Sequence, residues 1–347
     1  MQDSVRRIIV VGGGTAGWIT ASLIAAEHRE SVQPPEVVLV ESPDIPIIGV
    51  GEGTWPSMRM TLQKVGLPEA ELLRQCEASF KQGTRFTAWA RQGDDSRYVH
   101  PFSLPAEYAT LNLAEHWLAT DGGVPFADFV TPQAAVIEAG LAPKQPATPE
   151  YAFNVNYGYH FDAGKFAKLL HQHAVTRLGV RYVSANLQQV ESRADGDVAA
   201  IVLDTGERLA GDLFVDCTGQ RALLIGRYPE AGFVPVKDVL FNDAAIAVQV
   251  PYPDRNQPIH SVTCATAVSS GWIWDIGLQT RRGVGHVYSS AHASEEQATA
   301  ALRDYIGRVS PRTDIDRLAF RRIPFEPGYR RQFWVGNCVA VGLSGGF

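Results

Sequence analysis

Two groups of residues have types and spacings that could do chemistry. The first is Gly12, Gly14 and Gly17, which directly follow the β-branched run Ile8–Val11 in IIVVGGGTAGW. A first glycine permits a tight strand-to-helix turn, a second lets a pyrophosphate reach the backbone, and a third lets the helix pack on the strand. Glu41 closes a second apolar run, Val37–Val40, where an acid can accept both hydroxyls of an adenosine ribose. An ordinary βαβ unit with a glycine-rich turn is the alternative. The second group is Lys81 in ASFKQGTRFTAW, an amine set among aromatic residues. A lysine at such a position either faces solvent on a strand or is held for a reaction.

These residues require elements to hold them. Thr15–Glu27 reads as an alanine-rich helix, and Met58–Ala78 as helical with a break at Gly66 and Pro68. The alternation of Phe80, Phe86, Ala88 and Trp89 predicts a hairpin turning near Gly83. Between Glu41 and Met58, SPDIPIIGVGEGTWPS is either backbone packed against a ligand or a tight surface loop. Helices are expected near Ala109–Ala119 and Phe126–Ala139, within an aromatic, proline-rich stretch suited to shaping a pocket. Asp162 is read as the N-cap of a helix Ala163–Leu178 stopped by Gly179, followed by a strand Val180–Val183. A hairpin turns near Thr205–Gly206, and a buried strand Leu213–Val215 runs into Asp216, Thr218 and Gly219. Strands follow at 244–250, 271–278 and 281–289, then a helix Glu295–Val309 and a last buried strand entering a glycine-rich turn. Trp272 and Trp274 alternate and share one sheet face, as a core pair would.

The 347 residues suit about two domains, and 31 basic against 37 acidic residues give a formal charge of −6. That balance argues against a phosphate-tracking surface, so no nucleic-acid partner is expected. No apolar run is long enough to span a membrane, and the first strand starts too early for a signal peptide, which predicts a cytoplasmic protein. Cys76, Cys217, Cys264 and Cys338 lack metal-ligand spacing and are read as reduced thiols. His171 and His173 lie two apart on one helix and face apart, so no metal site is expected.

Taken in order, GGGTAGW (12–18), GVGEGT (49–54), SFKQG (79–83), HPF (100–102), DCTG (216–219), GWIWDI (271–276) and WVGNCVAVGLSGGF (334–347) resemble the flavin-dependent tryptophan halogenases. These are a branch of the two-domain FAD monooxygenases typified by p-hydroxybenzoate hydroxylase. The resemblance implies an α/β fold with a Rossmann-like FAD-binding module built from 1–55, 160–220 and 330–347. A β-rich and helical substrate-side region, 56–159 and 221–329, is interleaved with it. FAD contacts are implied for Gly12, Gly14, Thr15, Ala16, Gly17, Glu41, Val50, Gly51, Glu52, Leu187, Asp216, Gly219, Gly342 and Leu343.

In the family, reduced FAD and oxygen give a flavin C4a-hydroperoxide. A halide, chloride or bromide, attacks it, and hypohalous acid travels through a tunnel to an electron-rich ring. Lys81 matches the catalytic lysine that holds the oxidised halogen, as a charged hydrogen-bond donor or as a chloramine. An ordinary lysine near 10.4 is protonated at neutral pH, so the chloramine route needs burial or a nearby cation, and the sequence leaves both routes open. His100 and Phe102 match residues that sandwich the aromatic substrate. Trp272 and Trp274 match indoles that separate flavin from substrate.

Reduced flavin is expected from a separate reductase, since no second dinucleotide fingerprint appears; a homodimer is possible. Gly277 replaces the proline of the family's WxWxIP, which widens the expected substrate from tryptophan to indole or another indole derivative. Family members continue past the position of Phe347 into a helical segment with the catalytic glutamate, the halide-binding backbone and a substrate lid. The sequence is therefore expected to be a fragment that halogenates poorly as given. An aromatic hydroxylase of the same fold and a non-catalytic flavin binder are the rival readings.

Overall fold

The computed structural model describes residues 5–45, 52–90, 96–254 and 256–347. A six-stranded sheet carries the glycine turn. Five strands are parallel: β1 (Arg7–Val11), β2 (Glu36–Glu41), β8 (Arg181–Ser184), β12 (Leu213–Asp216) and β21 (Cys338–Ala340). The edge strand β20 (Trp334–Val335) is antiparallel, and the order is β20-β21-β12-β1-β2-β8. Alternate residues of β1 enter different cores. Ile8 and Val10 pack with Trp18 and Ala21 of α1 (Thr15–His28) and with Phe166 and Leu170 of α7 (Ala163–Arg177). Ile9 and Val11 face the antiparallel meander β9 (Leu187–Ser192), β10 (Val198–Leu203) and β11 (Arg208–Ala210). Coverage of both faces explains why IIVV is continuously apolar.

A second sheet has seven strands in the order β18 (Arg321–Pro324), β14 (Ala244–Pro251), β17 (Arg281–Tyr288), β16 (Gly271–Gly277), β15 (Thr263–Val268), β5 (Gly83–Thr87), β6 (Arg97–Pro101). Helix α8 (Glu295–Val309) covers one face through Ala298, Leu302, Tyr305 and Ile306. Its start is fixed by a reciprocal capping box between Ser294 and Gln297. The other face carries Ala245, Ala247, Trp274 and Ile276. A two-stranded ribbon, β13 (Phe233–Pro235) with β19 (Gly328–Arg330), lies apart.

A three-stranded sheet joins the two large ones, in the order β3 (Glu52–Gly53), β7 (Gly158–Phe161), β4 (Ser79–Lys81). Strand β7 leads into α7, while β4 is followed at once by β5, so the small sheet is a seam. The hairpin expected at Gly83 does not form, because β4 pairs with β7 whereas β5 pairs with β6 and β15. Gln82 enforces the change of sheet. It is fully buried, and its backbone N–H donates to Ser261 O at 2.6 Å. Its amide donates to Leu141 O at 2.8 Å and to Ser261 Oγ at 2.9 Å.

The helix pair α2 (Ser57–Val65) and α3 (Glu69–Gln75) breaks at Gly66–Pro68 as expected. Helix α4 is shorter than expected, at Leu113–Leu118. The helix expected over 126–139 is two: α5 (Phe126–Val130) and α6 (Gln133–Glu138). Thr131 is extended ahead of Pro132, whose ring disfavours a helical predecessor. Among the described residues no helix is long and apolar enough to cross a membrane.

Candidate functional site

Most of the expected nucleotide contacts that lie within the described residues gather at the carboxyl edge of the parallel strands, beside β1, where open α/β sheets take ligands. Gly12 adopts φ +117°, and a Cβ there would lie 2.2 Å from Cys217 O; one on Gly17 would lie 1.8 Å from Gly12 O. Gly14 differs, since a Cβ there would meet nothing within 4 Å among the described residues. It is the N-cap of α1, without a side-chain cap or a first-turn acid, so the N–H groups of Thr15, Ala16 and Gly17 face a space open to an anion. Glu41 at the end of β2 folds over Gly13, whose Cβ would lie 2.1 Å from the Glu41 Cδ. Burial pushes the Glu41 carboxyl up, against the opposing pull of the Tyr182 hydroxyl and His171. Leu187 begins β9 just past the end of β8. Gly342 and Leu343 form a 3-10 turn after β21, in which Gly342 has φ +72° and abuts Ala16. The open cradle over Gly14, the uncapped helix and the flanking acid fit a dinucleotide such as FAD.

Asp216 requires a correction. Its carboxylate is wholly buried and accepts four hydrogen bonds: from Thr218 N (2.9 Å) and Oγ1 (2.7 Å), and from Leu224 N and Ile225 N (both 2.8 Å). With its lone pairs engaged, it fixes the turn that carries Gly219 (φ +70°) rather than reaching a ligand. Val50 and Gly51 lie outside the described residues. Glu52 is half-buried on β3, and burial raises its carboxyl. His171 stacks on Trp18 at 4.5 Å and His173 Nε2 meets Val65 O at 2.8 Å, so each has a separate structural task. Among the described residues no cluster could hold a metal, and the four cysteines are free.

Lys81 ends β4 on the seam. It is partly buried, and no carboxylate pairs with it among the described residues; its aromatic neighbour is Phe102, whose ring centroid is 5.5 Å from Nζ. Burial pulls the amine down from 10.5 to about 8. A Cβ on Gly53, across β7, would sit 3.1 Å from Lys81 Nζ, 3.3 Å from His160 Cδ2 and 3.4 Å from Thr263 Oγ1. The missing side chain of Gly53 thus lets these three groups converge on one point over its Cα.

Phe102 is clamped by its N–H to Gln82 O (2.9 Å) and by Asn156 Nδ2, which donates to its carbonyl at 3.0 Å. The largely exposed Trp55 lies against it, ring centroids 5.5 Å apart. His100 is exposed on β6, two residues from Phe102. Sequence reasoning passed over Trp55, His160 and Thr263; only Trp55, next to GEGT, offered a signal. Trp272 and Trp274 share a face as expected, centroids 6.4 Å apart, on a strand two removed from β5. Gly285 makes the seat for Trp274, since a Cβ there would lie 2.1 Å from the indole.

Comparison with known proteins matches the tryptophan halogenase family model over residues 7–347. Tryptophan 6-halogenase ThaL of Streptomyces albogriseolus is 34% identical over 100% of this chain and 66% of its own length. Tryptophan 7-halogenase RebH of Lentzea aerocolonigenes is 33% identical with the same coverage. The crystal structure of a tryptophan halogenase from Shewanella frigidimarina superposes with a TM-score of 0.94 at 46% identity, covering 100% of this chain and 67% of that one. The chain thus spans about two thirds of the length of the curated relatives it matches.

Proposed function

The chain belongs to the tryptophan halogenase family, and from that premise we propose that it is an FAD-dependent halogenase acting on an indole-type aromatic: tryptophan, indole or a derivative. The observation that carries this reading is Lys81, a partly buried amine without a counter-ion among the described residues, under the ring of Phe102, on the strand that joins the nucleotide sheet to the second sheet. The same seam supports the division into an FAD module and a substrate-side region.

FAD would be held at its pyrophosphate by the N–H groups after Gly14 and at its ribose by Glu41. Bound and reduced by a separate flavin reductase, it would activate O2, the oxidant that takes two electrons from chloride or bromide and supplies the oxygen of hypohalous acid, its second oxygen leaving as water. Lys81 takes over from there. With its amine near 8, both forms are populated around neutrality. The ammonium donates a hydrogen bond to the hypohalous oxygen. The free amine forms an N–halogen bond, releasing water. In either case an indole carbon takes the halogen and loses a proton, and the lysine is regenerated. Phe102, with His100 and Trp55 beside it, offers flat surfaces for the ring to stack on. Trp272 and Trp274 would keep substrate from flavin.

The test supplies a flavin reductase, bromide and indole or tryptophan, and reads product mass. A two-isotope bromine pattern is expected, at low yield from these 347 residues alone. A gain of one oxygen would establish a hydroxylase instead, and FAD binding without product a passive flavin binder. Lys81→Ala is expected to abolish halogenation while FAD stays bound.

A further inference from the structure

His160 has no part in the reading above, yet it lies beside the proposed halogen-holding lysine. It is wholly buried on β7, in register with Gly53 on one side and Ser79 on the other. Its Nε2 is 2.9 Å from Thr263 Oγ1, and its Nδ1 is buried without a partner among the described residues. The edge of the ring that carries Cδ2 and Nε2 faces the point over Gly53, together with Lys81 Nζ and Thr263 Oγ1. Among the described residues, Lys81 is the charged group that acts on His160.

Burial first, and the nearby Lys81 second, push His160 down to about 3, so the imidazole is neutral. A neutral imidazole has one N–H. A buried N–H without an acceptor is rarer and costlier than a buried lone pair without a donor. The proton therefore sits on Nε2 and is donated to Thr263 Oγ1. The hydroxyl proton of Thr263 is then unused by His160 and free to turn towards the point over Gly53.

We propose that His160 and Thr263 form a positioning pair that aims the Thr263 hydroxyl into the slot of Lys81, so that amine and hydroxyl together cradle the oxygen of hypohalous acid. This rests on the lysine reading above and extends it to a second donor. Two donors fix the orientation of a small neutral oxidant where one leaves it free to rotate or escape, and Lys81 Nζ and Thr263 Oγ1 both lie within 3.4 Å of the point a Gly53 Cβ would take.

Two measurements test the pair. Nitrogen-15 NMR of the protein without substrate should show His160 protonated at Nε2 and bare at Nδ1; the reverse tautomer overturns the proposal. In the reaction with bromide and indole, a β-diketone scavenger captures hypohalous acid that escapes. Thr263→Val keeps the shape of the side chain and removes the hydroxyl. The ratio of escaped to transferred halogen should then rise about tenfold, the weight of one buried hydrogen bond. Thr263→Ser should restore the wild-type ratio, which also guards against a folding defect. An unchanged ratio in Thr263→Val, or a raised one in Thr263→Ser, overturns the pair while leaving the lysine reading intact. Halogenation that survives Lys81→Ala removes both.

Discussion

Replacing Lys81 by methionine should stabilise the protein at neutral pH. The folded amine is held at about 8 against an ordinary 10.5, so the unfolded chain binds this proton more tightly than the native one. At ~1.4 kcal/mol per factor of ten, that gap corresponds to about 3 kcal/mol of stability forgone below pH ~8. Lys81 keeps partial exposure, so the realised value falls below that ceiling. The sign follows from proton linkage. A base with a lowered native pKa makes stability rise with pH, here between about 8 and 10.5, where the unfolded state holds the extra proton. Methionine matches the length and flexibility of the lysine stem and has no charge to desolvate. Urea unfolding of wild type and Lys81→Met at about pH 7 and pH 10 is the assay. The variant should be more stable by up to about 3 kcal/mol at pH 7, and the difference should shrink towards pH 10. Any gain from added apolar burial does not depend on pH, so the shrinkage isolates the ionisation. Equal stabilities at pH 7, or a gap constant with pH, would refute the claim that burial perturbs this amine.

The glycine turn separates steric from ligand roles. Gly17→Ala, whose Cβ would lie 1.8 Å from Gly12 O, should lower the melting temperature with or without flavin. Gly14→Ala meets no atom of the described residues within 4 Å, so it should melt like wild type while binding FAD more weakly by flavin fluorescence titration. Glu69 accepts hydrogen bonds from Lys144 Nζ (2.8 Å), Tyr157 (2.5 Å), Tyr159 (2.7 Å) and Tyr151 N (2.9 Å). Glu69→Gln strands a buried Lys144 and should cost about 3–5 kcal/mol in urea unfolding. Although burial alone would raise it, these bonds hold the Glu69 carboxyl below the usual range. Its contribution to stability is present above the ordinary carboxylate pKa and lost as pH falls through the lowered one, which an acid titration of wild type against the variant would read.

What the sequence discloses and what it hides divide along physical lines. The glycine turn was legible because Gly12 takes a positive φ and Gly17 packs on Gly12 O five residues back, both local demands, although the Cys217 carbonyl against Gly12 is not; the two-sided burial of IIVV follows from composition. Helix α8 was legible to the residue because its capping box is local. The supposed hairpin at Gly83 failed because alternation reports a period and never a partner; Gln82 reaches Leu141 and Ser261, which no local pattern reveals. Asp216 was misassigned because an acid after a strand reads the same whether it binds a ligand or its own turn. His160 and Thr263 are 103 residues apart and meet only through strand pairing.

Two lysines in this fold show why Lys81 is better explained by chemistry than by packing. Lys144 is more deeply buried than an ordinary surface lysine and has what burial demands: Glu69 at 2.8 Å and the Pro149 carbonyl at 2.9 Å. Lys81 has no such partner among the described residues, and the groups around it are a phenyl ring, a neutral imidazole and a hydroxyl. Selection for stability alone would supply a carboxylate or replace the lysine, since either change lowers the free energy of the native state. A carboxylate would also lock the amine in its protonated form. The role proposed for Lys81, as donor or as nucleophile at neutral pH, calls for the opposite surroundings, and the seam between the two large sheets provides them. There β7 brings His160 from the nucleotide side, β15 brings Thr263 from the second sheet, and Gly53, without a Cβ, lets them converge with Lys81.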